Sequence, residues 1–194
     1  MSRITSRTPL FKGWSSIDQV AVRHNDGTIW QRTLEYHGDA AAALPFDPER
    51  RTCLMVSMPR IPLIEAAEAD LLEAPAGMLD EGEDAETCAR REAMEEAGVR
   101  LGDLEFVTRI WTMPGLSNER VSIFLAPYGV ADRVSAGGGV PHENEQITTV
   151  ELGLSTLQTM VQQGRLLDGK TLIAAQALIL RRPDLFADLP SDDR

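Results

Sequence analysis

The chain of 194 residues is 43% hydrophobic and 25% charged, which supplies one sizeable core and is too evenly mixed for a fibre, a disordered tail or a membrane protein. Its formal net charge of -11 argues against the basic stripe by which proteins hold nucleic-acid backbones. Among its 19 basic residues only Lys12 and Lys170 are lysine, and the arginine excess fits forked recognition of phosphate as well as it fits coding bias.

Met1 to Pro9 lacks the apolar stretch of a signal peptide, and no later run approaches membrane-spanning length. Residues 18 to 24 read as a strand, Asn25-Asp26-Gly27 as a hairpin turn, and Thr28 to Tyr36 as the returning strand. Two further strands are predicted over Ala40–Leu44 and Thr52–Met58, joined through Asp47-Pro48. Cys53 and Cys88 show no metal-binding or redox spacing, so a reduced, cytoplasmic setting is expected.

Residues 77 to 99 carry the chemistry. Glu92, Glu95 and Glu96 stand at i, i+3 and i+4, so a helix here presents three carboxylates on one face. Such a cluster is often no more than a solvated helix face. Like charges so close repel unless neutralised, and hard divalent cations that take oxygen ligands, Mg2+ above all, are the natural neutraliser.

Beyond this segment, Leu104–Thr112 and Val121–Pro127 read as strands that neighbour one another in a sheet, separated by the turn signal Pro114-Gly115. The period then changes. Leu154, Leu157, Met160 and Val161 share a helical face that stops at Gly164, and Thr171–Leu180 forms a second amphipathic helix ended near Pro183. Both apolar stripes are assigned to packing. Residues 185 to 194 read as a frayed tail.

The spacing Gly77, Glu83, Arg91-Glu92, Glu95-Glu96, Gly98, Val99 resembles the Nudix box, the loop-helix-loop signature of enzymes that hydrolyse a nucleoside diphosphate linked to another moiety. Ala93 departs from the aliphatic residue usual after Arg-Glu. The resemblance runs over about residues 18 to 182. Glu73-Ala74-Pro75-Ala76-Gly77 is similar to the lead-in of the ADP-ribose pyrophosphatase branch, and Met113 to Glu119 to its Pro-Gly turn with a downstream Glu. Ala136 to Val140, Glu143 to Ile147 and Asp168 to Thr171 look most like its GDP-mannose-hydrolysing members. Ser57-Met58-Pro59-Arg60 stands where the branch commonly has Arg-Gln-aromatic-Arg, so only Arg60 is retained.

The resemblance implies an α/β fold, the Nudix α/β/α sandwich with a mixed sheet, plus an N-terminal antiparallel β extension. The expected parts are residues 1–44 for the extension (dimerisation and base pocket), 45–184 for the hydrolase domain and 185–194 for the tail. It places Glu92, Glu96 and the Ala76 carbonyl on the metal, Mg2+ or Mn2+, with Glu95 beside them. The box itself gives Arg91 a partner in Glu83, a structural reading weighed against direct phosphate binding, and makes Gly77 and Gly98 structural.

A general base must come from outside the metal ligands. Glu145 is preferred and Glu143 is the alternative, on a loop that Gly137 to Gly139 would let close over substrate. Arg60, Glu73 and Glu119 are expected toward substrate. Trp30 is favoured over Trp14 and Trp111 for stacking a base, against the common packing role of aromatics. His24, His37 and His142 remain unassigned.

The expected activity is Mg2+-dependent hydrolysis of the pyrophosphate bond of a nucleoside diphosphate sugar, ADP-ribose or GDP-mannose, to nucleoside monophosphate and sugar phosphate, by a cytoplasmic homodimer. The alternatives are a Nudix hydrolase of triphosphates or dinucleotides, and a catalytically silent nucleotide-sugar sensor.

Overall fold

The computed structural model describes residues 1–140 and 146–187, and the chain divides into two units. The first comprises residues 1–39 and 110–121. Strands β1 (Arg3–Lys12), β2 (Ser16–Arg23) and β3 (Ile29–Tyr36) form an antiparallel sheet in that order. The β2–β3 turn is fixed by Asp26, whose carboxylate accepts from both the Thr28 amide and hydroxyl, and by Gly27 at φ +86°. β1 escapes sequence reading because it is exposed along its whole length and its apolar residues, Ile4, Leu10 and Phe11, do not alternate as those of a half-buried strand do. Residues 110–121 join this unit where the Glu35 amide donates to Leu116 O and the Asn118 side chain accepts from the His37 amide.

The second unit comprises residues 40–109 and 122–194. Its elements are β4 (Asp39–Asp47), β5 (Thr52–Ser57), α1 (Ile61–Ala66), β6 (Ala76–Met78), α2 (Ala85–Ala97), β7 (Glu105–Trp111), β8 (Arg120–Pro127), β9 (Thr148–Gly153), α3 (Leu154–Gln162) and α4 (Gly169–Arg181). The sheet runs β7-β8-β4-β5-β9, with β6 paired to β4, so β7 and β8 are neighbours as their sequences predict. Every residue of β4 from Ala40 to Asp47 is buried, as suits a strand covered on both faces. Ala41, Ala43, Leu54, Val56, Phe124 and Ala126 pack with Cys88, Ala89, Ala93 and Ala97 of α2. The alternate residues Ala42, Leu44, Cys53, Met55, Ile123 and Leu125 are equally buried. The result is a mixed α/β fold with helices on a mixed sheet and a separate antiparallel sheet. Ala93 is fully buried, so the smaller side chain still faces the core.

Asp84 caps α2 by accepting from the Thr87 amide, and Gly98 ends it in the left-handed region at φ +65°. A Cβ on Gly98 would lie 2.3 Å from Ser135 O, so the cap is also a close approach of two backbones. α1 was not expected: it follows Arg60, starts with a proline in its first turn and buries none of its residues. Among the described residues no helix is long and apolar enough to cross a membrane.

Candidate active site

The lead-in strand β6 lies against helix α2. The Ala76 amide donates to Glu96 Oε2 at 3.0 Å, and Glu96 is only 3% exposed. Next to it, a Cβ on Gly77 would lie 1.9 Å from Glu92 Oε1, so glycine is what lets the Glu92 carboxylate lie against the strand. The antiparallel pairing of Ala40, Ala41 and Ala42 with Met78, Gly77 and Ala76 holds that strand in register.

Arg91 crosses this cluster. It makes a two-point pair with Glu83 at 3.1 and 2.9 Å, reaches Glu92 Oε1 at 2.6 Å and Glu95 Oε2 at 3.3 Å, and donates to Met78 O. The hydrogen bonds to Glu83 raise the Arg91 pKa further, and the same contact lowers that of Glu83. With Asp80 3.8 Å from Nε, one guanidinium thus faces four carboxylates, before the buried Glu96 is counted. Among the described residues no three His, Cys, Asp or Glu side chains are grouped as a ready-made metal site, and Glu92 and Glu95 are paired with Arg91. The residues nevertheless suit a divalent cation: the donors are hard carboxylate oxygens, Gly77 leaves room for one of them, and the local charge is strongly negative. Both thiols are poor candidates for ligation, since burial pushes Cys53 and Cys88 up to about 12.

A second group lies at the start of the lead-in. Arg60 makes a two-point pair with Glu73 at 2.8 and 2.9 Å, and Lys170 Nζ is 2.6 Å from Glu73 Oε2 and 3.1 Å from Asp168 Oδ1. Burial, the largest single influence on Glu73, pushes its pKa up; the hydrogen bonds and charges of Arg60 and Lys170 together outweigh it and hold the group at about 2. Lys170 has no role in the sequence pattern; in the structure it pairs with Glu73, a candidate site residue, and with Asp168.

The glycine-rich loop docks on the end of α2. Gly138 and Gly139 amides donate to the carbonyls of Glu96 and Glu95, both at 2.9 Å, and the Thr149 hydroxyl donates to Glu96 O at 3.0 Å. Gly137, Gly138 and Gly139 all have positive φ, and a Cβ on Gly137 would lie 2.3 Å from Glu96 O. These glycines therefore answer a packing demand of the described structure. Glu143 and Glu145 lie outside the described residues.

Trp30 and Glu119 belong to the first unit. Trp30 is 47% exposed, with its ring beside His24 and under the Arg32 guanidinium. Glu119 accepts from the Thr112 hydroxyl and lies 3.7 Å from His37 Nε2. Trp14 is more exposed still, its ring edge-on to His37, and Trp111 stacks under Arg120.

A mixed α/β core in which a glycine-bearing strand meets an acidic helix, with an arginine held between loop and helix, defines the class of phosphoanhydride hydrolases built on a loop-helix-loop motif. The NUDIX domain family model matches residues 36–162, and the chain belongs to the Nudix hydrolase family. It is 36% identical over 160 residues to the GDP-mannose pyrophosphatase of Cronobacter sakazakii (strain ATCC BAA-894), covering 80% of this chain and 82% of that protein. To the ADP-ribose pyrophosphatase of Escherichia coli (strain K12) it is 34% identical over 190 residues, covering 94% and 90%. The fold is similar to the crystal structure of an ADP compounds hydrolase, with a TM-score of 0.75 at 16% identity over 94% of this chain and 95% of that one.

Proposed function

We propose that the protein hydrolyses the pyrophosphate bond of a nucleoside diphosphate sugar, ADP-ribose or GDP-mannose, releasing a nucleoside monophosphate and a sugar phosphate. The observation that carries this reading is the junction of lead-in and helix, where Ala76 and Gly77 meet Glu96 and Glu92. Two groups of relatives, one named GDP-mannose pyrophosphatase and the other ADP-ribose pyrophosphatase, support the substrate class.

Glu92, Glu96 and the Ala76 carbonyl would hold the divalent ion, Mg2+ or Mn2+, with Glu95 beside them. Such an ion neutralises diphosphate oxygens and lowers the pKa of a bound water. The protein's own residues do the rest. Arg91, tied to Glu83, keeps the carboxylate cluster on one face of α2. Glu145, or Glu143, accepts the proton of the attacking water, carried on a loop whose glycines are anchored to the Glu95 and Glu96 carbonyls. Arg60 offers its partly exposed guanidinium to a phosphate, oriented by Glu73. Trp30 stacks the base and Glu119 supports the substrate's polar groups.

In this reading residues 1–44 dimerise and build the base pocket, 45–184 hydrolyse and 185–194 form a tail. The enzyme works as a homodimer in the cytosol, where Cys53 and Cys88, both unpaired, stay reduced. The test is product formation with Mg2+ from ADP-ribose, GDP-mannose, other nucleotide sugars, dinucleotides and triphosphates, with and without chelator. Turnover confined to nucleotide sugars and abolished by chelator is expected; turnover of triphosphates alone would overturn the substrate class.

A further inference from the structure

We propose that Thr149 is a positioning residue for the metal-holding face of α2, fastening the last turn of that helix to the sheet through a single hydroxyl. This deepens the reading above and rests on its assignment of Ala76, Glu92 and Glu96. The need for a fastening follows from where the carboxylates stand. Glu95 and Glu96 occupy the last turn of α2 and Glu92 the turn before it, at the end where the aligned peptide dipoles already carry negative charge. No basic residue stands in that last turn, and Arg91 directs its guanidinium to side chains and to Met78 O.

Neutral donors serve the end of the helix instead. Within the cap, the Gly98 and Val99 amides close on Met94 O and Ala93 O. The Glu95 and Glu96 carbonyls are met from farther along the chain: Glu95 O by the Gly139 amide at 2.9 Å, and Glu96 O by the Gly138 amide at 2.9 Å and the Thr149 hydroxyl at 3.0 Å. The two glycines belong to a loop, whereas Thr149 belongs to a paired strand, β9. Its hydroxyl also lies 3.1 Å from Ala136 O, so one proton serves both the helix end and the root of the glycine loop.

Thr149 shares a reference point with the other half of the site. It stands opposite Val56 in the β5–β9 pairing, and Val56 exchanges two 2.8 Å backbone hydrogen bonds with Glu73 at the start of the lead-in. One residue on, the Ala74 amide donates to the Thr171 hydroxyl at 2.6 Å, and the Ala76 amide reaches the Glu96 carboxylate at 3.0 Å. Lead-in and helix are therefore both indexed to Val56, the first through its backbone and the second through Thr149. The two paths meet at Glu96, whose carbonyl is held by β9 and whose carboxylate is held by the lead-in. A shift of the last turn would move Glu96 against Ala76 and Glu92 against Gly77, and an octahedral ion such as Mg2+ tolerates little displacement of its ligands.

The test uses the full chain with Thr149→Val and Thr149→Ala, which remove the hydroxyl with and without the branched shape, and Thr149→Ser, which keeps it. Free Mn2+, the probe, is followed by electron paramagnetic resonance without substrate, alongside thermal melting, amide exchange of Gly138 and Gly139, KM and kcat. Both variants that lack the hydroxyl are expected to bind Mn2+ about tenfold more weakly, at the low end for groups that orient metal ligands, and to exchange the Gly138 amide faster. KM at saturating Mn2+ should be unchanged, and Thr149→Ser should match wild type. Wild-type Mn2+ affinity in both variants, whether or not they melt early, would overturn the proposal and leave Thr149 a stabilising contact only. A loss in Thr149→Ala that Thr149→Val does not share would overturn it too, because the effect would then lie in the packing of β9. Failure of the wild-type chain to cleave nucleotide sugars while it binds Mn2+ would refute the substrate alone, and the Mn2+ comparison would still decide the positioning.

Discussion

Gly77→Ala separates site geometry from stability. An added Cβ would lie 1.9 Å from Glu92 Oε1, 2.2 Å from Cδ and 2.8 Å from Oε2. Carbon and oxygen in ordinary contact need about 3.5 Å, so the carboxylate must retreat by roughly 1.5 Å. Mg2+ tolerates little deviation from about 2.1 Å, and a ligand displaced that far no longer binds. Removing an outer partner of a ligand costs about 10–100-fold, so losing the ligand should lower kcat by at least ~100-fold at saturating substrate. The fold should notice much less. Gly77 is outside the left-handed region, so alanine adds no backbone strain there and stabilises by about 0.4–1 kcal/mol through the unfolded chain. Against this stands a weakened Arg91–Glu92 hydrogen bond, about 1.5 kcal/mol at a partly exposed pair. The net loss of about 0.5–1 kcal/mol corresponds to a melting point lower by about 1–4 °C in a chain of this size. Steady-state hydrolysis with Mg2+ and thermal melting are the two assays. Near-native kcat in a protein that melts slightly early would refute the placement of Glu92 on the metal.

Glu96→Gln keeps an acceptor for the Ala76 amide and removes the charge, so most turnover should be lost while the melting point holds; retained hydrolysis would sink the ligand assignment. Glu73 has an ordinary pKa of 4.5 and is held at about 2 in the fold, so its contribution to stability is complete above the higher value and fades as the pH falls toward the lower. With allowance for screening at the 40% exposed Arg60, that contribution is about 2 kcal/mol. Urea unfolding of Glu73→Gln against wild type should show a gap at pH 7 that narrows steadily below pH ~4.5, where a constant gap would contradict the pairing. Gly137→Ala places a methyl 2.3 Å from Glu96 O at a φ of +72°, which lifts the loop off α2; a loss of about 2 kcal/mol in unfolding stability and a fall in kcat are expected, and a neutral result would show the loop is not anchored there.

Where the sequence was legible, local rules were in force. The β2–β3 hairpin announces itself through Asn25-Asp26-Gly27, α3 through an apolar stripe with Gly164 beyond its end, and α2 through its acidic face and Gly98. β1 and α1 were missed because neither buries a face, and periodicity reports burial. Within the site, the box fixes Glu83, Arg91, Glu92, Glu95 and Glu96 on one segment, and their spacing is informative. The attachments of that segment are long-range. Ala74 and Thr171 are 97 residues apart, and Thr149 is 53 from Glu96; no helical or strand period links such pairs. Glycines 137 to 139 illustrate the ambiguity: from sequence they offer mobility, whereas the structure uses their missing side chains to bring two backbones together.

Arg91 resolves a difficulty that the carboxylate spacing raises by itself. Glu92, Glu95 and Glu96 on one face of a helix repel before any cation arrives, and a fold that required metal to offset this would be marginal without it. A mobile lysine could neutralise the face but would move with the carboxylates and compete with the metal. Arg91 is instead clamped along one guanidinium edge, Nε and Nη2, by Glu83 and Met78 O, while its Nη1 is left to relieve the repulsion between Glu92 and Glu95. Its raised pKa keeps that charge present at any working pH. Glu83 belongs to the loop and Arg91 to the same helix as the carboxylates, so the one pair both fastens the loop to α2 and fixes the cation that offsets the repulsion along its face.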